Sequence, residues 1–221
     1  MTRAEERAIE DPVLTEACQA FSELGVATVY EASGRQGLID LPLIPITPGQ
    51  RVAGPALTVL CGQGDNLMVH AVMERVFPGA VLVITMPEPE PVALVGELLA
   101  IQAKVRGAAA LLVDAAVRDV DELRAMGLPV WTRFIRVRGA TKEKIGGIDV
   151  PVVVGGAQIQ PGDIVVLDDD GAVVVARERV ASVLESARAR AEREARLRER
   201  LQAGELTYDL HGLRAVVERQ R

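Results

Sequence analysis

The sequence LLVDAAVRD, residues 111–119, decides the fold. Its apolar first part is typical of a buried strand, which we expect to cover Ala109 to Val113 and to end at Asp114. Upstream, a predicted strand at Ala80 to Thr85 and a predicted helix at Leu94 to Arg106 complete the order strand, helix, strand. This spacing predicts a right-handed βαβ crossover and therefore a parallel sheet.

Other predicted elements extend this pattern on both sides. After Gly139 the sequence changes to short apolar runs separated by glycine, proline and aspartate, which are typical of β-hairpins. A long amphipathic helix is predicted for Arg177 to Leu201. The remaining predictions are a helix at 15–24, a helical turn from 28, a strand at 52–61, helices at 66–75 and 120–126, strands near 130 and at 134–137, and β runs at 150–154, 158–159, 163–167 and 172–176.

Composition excludes several classes of function. The 221 residues carry a net charge of −6 and only 3% aromatic side chains, so neither nucleic acid nor an anionic membrane is an expected partner. Two cysteines, Cys18 and Cys61, form neither a disulfide framework nor a metal-binding pattern. The sequence shows no signal peptide and no apolar run long enough to span a membrane, so we expect a cytoplasmic protein.

Arg118 and Asp119 are the first candidate site residues. The guanidinium of Arg118 matches the carboxylate of an α-keto acid, and the carboxylate of Asp119 is a suitable ligand for Mg²⁺ or Mn²⁺. The alternative is structural, with Asp119 as the N-cap of the next helix and Glu122 as its capping-box partner. The two interpretations are compatible, and both stay open at this point.

A predicted helix start at Gly96 to Leu99 is the second candidate. Its unpaired N–H groups and the positive end of the helix dipole favour binding of a carboxylate or phosphate, although Glu97 is also a stabilising residue in any first turn. His70 could contribute to a site, but a single helical histidine is more often packed or solvated. The chain has no Gly-x-Ser-x-Gly elbow and no convincing Schiff-base lysine, so a metal with backbone amides is the favoured route to stabilising an enolate.

Several segments together resemble a known family. They are GVATVYEA (25–32), GDN (64–66), GELLA (96–100), VDAAVRD (113–119), PGD (161–163) and GEL (204–206). In this order they are similar to the 4-hydroxy-4-methyl-2-oxoglutarate/4-carboxy-4-hydroxy-2-oxoadipate aldolases, over nearly the whole chain. The resemblance implies a class II aldolase that uses Mg²⁺ or Mn²⁺ and cleaves these substrates to pyruvate plus pyruvate or oxaloacetate, in bacterial degradation of aromatic compounds. It also implies an oxaloacetate decarboxylase side activity.

The resemblance also implies roles for individual residues. Asp119 would bind the metal and Arg118 the keto-acid end of the substrate. The backbone amides of the segment Gly96, Glu97, Leu98 and Leu99 would hold the pyruvyl carboxylate, with Glu97 ordering metal-bound water. A glutamate from a neighbouring subunit's C-terminal helix would touch the water shell of the metal; Glu194 is the best match, and Glu192 and Glu199 are alternatives.

The implied fold is an α/β, swivelling α/β/β/α sandwich like that of the regulator of ribonuclease E activity, formed by a single aldolase domain over residues 1–221. A homotrimer or homohexamer is implied, with residues 177–221 packing on a neighbouring subunit. The alternative function is a non-catalytic, protein-binding regulator of ribonuclease E type, which lacks a comparable C-terminal extension. For the substrate's second carboxylate, the sequence offers Arg35, Arg133 and His70 without placing them.

Overall fold

The computed structural model describes residues 12–219. Its helices are α1 (Pro12–Leu24), α2 (Val26–Ala32), α3 (Leu67–Val72), α4 (Glu97–Val105), α5 (Val120–Met126), α6 (Val180–Gln202), α7 (Thr207–Leu210) and α8 (Leu213–Glu218). Its strands are β1 (Ile44–Pro45), β2 (Val52–Leu60), β3 (Val81–Thr85), β4 (Ala93–Val95), β5 (Ala110–Val117), β6 (Val130–Ile135), β7 (Gly147–Ile148), β8 (Val152–Val154), β9 (Ala157–Ile159), β10 (Ile164–Asp168) and β11 (Gly171–Val175).

A mixed sheet organises the described part of the chain. Its strand order is β1-β6-β5-β3-β2-β10-β11, with β4 beside β5 and β7 beside β2. The pairs β2–β3, β3–β5 and β5–β6 are parallel, as the predicted βαβ unit requires, whereas β10 and β11 form an antiparallel hairpin. The strands β8 and β9 form a separate hairpin. The predicted α/β class is confirmed.

Apolar side chains on both faces hold the sheet in place. One face packs against α3, α4 and α5, which contribute Val69, Leu99 and Leu123 to the core. On the other face, β2, β3, β5, β6, β10 and β11 surround the β8–β9 hairpin, so the sheet curls into a half-barrel. Outside β10 and β11, the helices α1, α2 and α6 form a third apolar cluster. Buried strands with apolar residues on both faces explain the continuous Val, Leu and Ile runs.

Two boundaries beside the candidate site differ from prediction. Residues 93–95, predicted as the start of a helix, form β4 because Ala93 and Val95 pair with the far end of β5. Helix α4 therefore begins only at Glu97. Since β5 continues to Val117, Asp114 lies inside the strand, and the prediction that it ends the strand is wrong.

The long C-terminal helix is confirmed as α6, preceded by a 3₁₀ turn at Arg177–Arg179. Val180, Val183, Leu184 and Ala187 bury its first half against α1 and α2. Beyond them, residues 188–219, hereafter the arm, contain no buried side chain. None of the helices in residues 12–219 has the length and apolar character needed to cross a bilayer.

Candidate active site

An open cleft of about 420 Å³ lies beyond the carboxyl ends of β4 and β5. Parallel sheets commonly bind ligands at this edge. The cleft brings together His70, the segment Gly96 to Leu99, and the pair Arg118 and Asp119, but not the candidates Arg35 and Arg133. It is lined by Asn66, His70, Ala93, Leu94, Gly96, Glu97, Leu98, Leu99, Arg118, Asp119, Glu122, Gly139, Ala140 and Lys142.

Asp119 has an unusual backbone that directs its carboxylate away from its own helix. The residue adopts the left-handed conformation (φ 59°, ψ 47°), which aspartate tolerates better than most residues. It occupies the N-cap position of α5, but its side chain makes no capping hydrogen bond there, so the predicted capping box with Glu122 is wrong. Instead Oδ2 accepts a hydrogen bond of 3.0 Å from the N–H of Glu97, at the start of α4. The carboxylate thus caps the neighbouring helix.

Gly96 makes this contact possible. A Cβ atom at this position would lie 2.4 Å from Asp119 Oδ2 and 3.2 Å from Arg118 Nε. Any other residue would push the acid and the guanidinium away from the start of α4. The Nε of Arg118 also lies 3.7 Å from Asp119 Oδ2, with both side chains nearly half exposed to the cleft. The three residues therefore form one compact group.

The first turn of α4 faces this group. Because Glu97 N–H is bonded to Asp119, and Ala100 N–H donates to Gly96 O, the amides of Leu98 and Leu99 are the ones left for a ligand. These amides carry the positive end of the helix dipole. Together with the Arg118 guanidinium they provide donors for a carboxylate.

Asn66, His70 and Lys142 form the opposite wall. The Nδ2 of Asn66 donates to Leu94 O (3.0 Å), which orients the side chain, and its buried Oδ1 has no partner in the described structure. Burial and the positive charge of Lys142 lower the pKa of His70 below its usual 6.5, so its imidazole is neutral at pH 7. This wall therefore offers a cation and a neutral imidazole to a ligand.

Asp65 holds the loop that carries Lys142. Its Oδ2 accepts hydrogen bonds of 2.6 Å from both Thr141 Oγ1 and Glu143 N–H, while Oδ1 accepts one of 2.8 Å from Leu67 N–H at the start of α3. Burial alone would raise the pKa of Asp65, but these hydrogen bonds outweigh it and lower the pKa to about 2. The ionised carboxylate fixes the loop against α3.

Some predicted residues lie elsewhere in the chain. Arg133 donates to Asp114 Oδ1 (3.1 Å) inside the sheet, and Arg35 pairs with Glu31 on the surface, so neither lines the cleft. Glu194 pairs with Arg190 (2.8 Å) and lines a separate recess of its own chain. Its predicted contribution from a neighbouring subunit, like those of Glu192 and Glu199, stays a prediction.

The donor set fits a hard divalent cation with few protein ligands. No group of three or more His, Cys, Asp or Glu side chains is arranged to hold a metal within residues 12–219. Asp119 instead presents one partly exposed carboxylate, with Glu97 and Glu122 also lining the cleft. Mg²⁺ is commonly bound in this way, by one or two carboxylates together with water and substrate oxygens.

Comparison with known proteins supplies the family. A family model for RraA-like proteins, described as Aldolase/RraA, matches residues 21–174. The chain belongs to this family. The match runs from α1 to β11 and so includes every residue that lines the cleft. The arm lies outside it.

Individual relatives of this Aldolase/RraA chain have different names. A Halalkalibacterium halodurans protein provisionally named 4-hydroxy-4-methyl-2-oxoglutarate aldolase is 37% identical over 165 residues, or 74% of this chain and 79% of that protein. The structure of Streptomyces coelicolor RraAS2, described as an unusual member of the RNase ES inhibitor RraA family, is 30% identical with a TM-score of 0.73, covering 83% of this chain and 96% of the other. The predicted fold family is therefore confirmed.

A third relative carries another function in its name. The Geobacillus kaustophilus structure described as S-adenosylmethionine:2-dimethylmenaquinone methyltransferase is 31% identical with a TM-score of 0.64, covering 70% of this chain and 96% of the other. One fold thus carries names from three classes of function. Function must be argued from the site.

Proposed function

We propose that this protein is a divalent-metal-dependent carbon–carbon lyase acting on 4-hydroxy-2-oxo acids that release pyruvate. The substrates proposed are 4-hydroxy-4-methyl-2-oxoglutarate and 4-carboxy-4-hydroxy-2-oxoadipate, with oxaloacetate decarboxylation at the same site. The observation that carries the proposal is the convergence of the Asp119 carboxylate, the Arg118 guanidinium and the amides of Leu98 and Leu99 on one cleft. The 37% identical relative with an aldolase name supports it.

Asp119 would hold Mg²⁺ or Mn²⁺, with Glu97 acting through bound water. When bound, the cation supplies Lewis acidity toward the keto-acid oxygens. The hydrogen bond from Glu97 N–H to Asp119 fixes the carboxylate before any ligand arrives, so little reorganisation is needed on binding. Preorganisation of this kind is the main contribution of the protein.

Arg118 and the start of α4 act on the pyruvyl half of the substrate. The amides of Leu98 and Leu99 bind its carboxylate, and the Arg118 guanidinium donates to the keto oxygen. A water molecule in the cleft accepts the C4 hydroxyl proton, and the O–H electron pair forms a carbonyl at C4 as the C3–C4 bond breaks. The electron pair of that bond forms the C2–C3 double bond, which leaves the negative charge of the pyruvate enolate on the keto oxygen. Arg118 stabilises this negative charge until water protonates C3. Loss of CO₂ from oxaloacetate leaves the same enolate, so one site serves both reactions.

The opposite wall would bind the other half of the substrate. Lys142 supplies a cation for a second carboxylate, beside Asn66, whose side chain is oriented by its hydrogen bond to Leu94 O. His70, neutral at pH 7, can donate or accept beside them. Among the sequence candidates for this role, His70 is the one that lines the cleft, since Arg35 and Arg133 lie elsewhere.

The test is turnover of oxaloacetate with Mg²⁺ or Mn²⁺, followed as pyruvate in a coupled assay against a blank with metal alone. We expect EDTA-sensitive turnover by the native protein. Asp119→Asn and Arg118→Ala should each lower kcat/KM by about 10²–10³-fold, because each removes a group that stabilises developing charge. The matched control is Asp121→Asn. It removes the same charge from a carboxylate that lies two residues further along the chain and is 94% exposed.

A protein-binding regulator is the second candidate, supported by the likeness to RraAS2. Absence of EDTA-sensitive turnover in the native protein would favour it over the lyase. Retention of native rates by Asp119→Asn would instead show that catalysis occurs away from this cleft. The two results therefore separate a wrong function from a wrong site.

A further inference from the structure

Strand β5 contains an irregularity just before the site. Val113 pairs with Thr132 of β6, but the next pair is Ala116 with Phe134. Three steps on β5 thus correspond to two on β6, which is a β-bulge containing Asp114 and Ala115. Bulges are uncommon between parallel strands, and they often serve to redirect side chains near active sites.

Side chains from both neighbouring strands hold this bulge. Asp114 is 2% exposed, and its Oδ1 accepts from Arg133 of β6 at 3.1 Å. Its Oδ2 lies 3.4 Å from the hydroxyl of Thr85, at the end of β3. The hydroxyl of Thr132 donates a hydrogen bond of 3.0 Å to Ala115 O, a carbonyl in the irregular part of the strand pairing.

The bulge lies where β5 exchanges one partner for another. Up to Val113 the strand pairs with β3, and from Ala116 it pairs with β4. The new register brings Ala116 N–H to Val92 O (3.0 Å) and Arg118 N–H to Val95 O (3.1 Å). The second bond places Arg118 and Asp119 directly beside Gly96 and Glu97. The geometry of the cleft therefore depends on the register that the bulge sets.

We propose that Asp114 and Arg133 are positioning residues, which hold the bulge so that Arg118 and Asp119 leave the sheet in register with the start of α4. Neither residue lines the cleft, so both act through the backbone of β5. An ion pair with a buried carboxylate and a half-buried guanidinium suits this role because both partners must meet in one geometry, and polar pairs inside proteins are best known for fixing register. Apolar side chains at these positions would fill space without specifying that register.

The experiment compares two single variants. Asp114→Asn preserves the shape of the side chain, and Arg133→Met removes the charge of a side chain that is 34% exposed. The control is Asp163→Asn, a carboxylate of similar burial that binds the N–H groups of Gln160 and Arg177 away from the cleft. Hydrogen exchange is measured by mass spectrometry on peptides covering 92–99, 114–120 and β2. Mn²⁺ affinity is measured by electron paramagnetic resonance, and kcat and KM are measured with oxaloacetate.

The Asp114→Asn and Arg133→Met proteins should both show faster backbone hydrogen exchange at 92–99 and 114–120 and native hydrogen exchange in β2. Mn²⁺ affinity and kcat should fall about 10–100-fold, as for other residues that orient a metal ligand, while Asp163→Asn lowers the melting temperature without these effects. The kinetic and metal readouts rest on the proposed function, whereas the exchange readout does not. A native protein without turnover or Mn²⁺ binding would thus refute the function and leave the exchange result to decide the positioning role.

Native exchange at both segments in a folded Asp114→Asn protein would overturn the inference. Equal acceleration across the whole chain, as expected from a general loss of stability, would overturn it too. If Asp114→Asn does not fold, Arg133→Met decides by the same two criteria.

Discussion

The sheet-containing body, residues 12–187, and the arm, residues 188–219, are held together in different ways. In the body, long apolar strands such as β3 and β5 are buried along their whole length. In the arm no side chain is buried. Its contacts include ion pairs within the arm, such as Arg200 with Glu205 (2.6 Å), and exposed ion pairs to the body, such as Arg188 with Glu16 (2.7 Å).

This contrast separates two sources of structure. Burial of apolar surface stabilises the body, and exposed ion pairs contribute little free energy. The cleft residues belong to the body, so the site does not depend on the arm for its shape within one chain. Any role of the arm in catalysis must therefore come from contact with another molecule, which is why the predicted neighbouring subunit matters.

The largest effect on stability is expected from a substitution in the core of the body. Leu111→Ala removes a fully buried side chain from the main core and should lower the free energy of unfolding by about 2 to 5 kcal/mol. The matched change in the arm is Leu213→Ala, at a side chain that is 43% exposed, with an expected loss below about 0.5 kcal/mol. Urea unfolding of both variants measures the difference. A large loss from Leu213→Ala would reveal burial of the arm by a partner in solution.

The next largest effect on stability is expected from Asp65→Asn, which tests the hydrogen bonds that Asp65 accepts from α3 and from the loop that carries Lys142. The Asp65 carboxylate accepts three hydrogen bonds, so removing its charge should lower the free energy of unfolding by about 2 kcal/mol at pH 7. Because folding lowers the pKa of Asp65 from 3.8 to about 2, its stabilisation is complete above pH 4 and is lost as the pH falls toward 2. The difference in free energy of unfolding between variant and native protein, measured by urea unfolding, should therefore decrease as the pH falls below 4. A difference that stays constant would contradict this assignment.

Glu194→Gln tests whether the arm reaches a neighbouring cleft. If it does, kcat/KM for oxaloacetate should fall about tenfold, as for other groups that orient metal-bound water. Stability should barely change, because Glu194 makes only a partly exposed ion pair. Parallel Glu192→Gln and Glu199→Gln variants identify the contributing glutamate, and unchanged kinetics in all three would remove the arm from the mechanism.

The smallest effect is expected at Arg200. Replacing it with alanine breaks its contacts with Glu205, but this pair is solvent-exposed, so the unfolding midpoint should not change measurably. Thermal unfolding at low and high salt provides the check. A clear, salt-dependent drop would mean that the ion pairs of the arm stabilise more than a local helix.

Much of the site followed from the family resemblance, which assigned Arg118, Asp119 and the segment Gly96 to Leu99 to one site. The apolar runs at 80–85 and 109–113 identified β3 and the first part of β5, but β5 meets the start of α4 because β4 pairs with its far end. This places Arg118 and Asp119 beside Gly96 and Glu97. The three-residue β4 was missed because so short a strand has no periodicity of its own and exists through pairing with β5.

The opposite wall could not be predicted in the same way. Lys142 reaches the cleft because Asp65 binds Thr141 and Glu143, contacts that join residues more than 70 positions apart. Such contacts have no periodic signal in one sequence. The capping box failed for a related reason: Asp119 and Glu122 have the right spacing, but the start of α4 offers Asp119 a competing N–H donor.

The left-handed backbone of Asp119 limits how this position can evolve. Most side chains are strained at φ 59°, and asparagine and aspartate are the main exceptions. Asparagine keeps an oxygen to accept the Glu97 N–H but loses the negative charge that a cation requires. A single exchange can therefore retain the architecture of the cleft while removing its proposed chemistry. On this scaffold, one such substitution would separate the proposed lyase from a protein that only binds its partner.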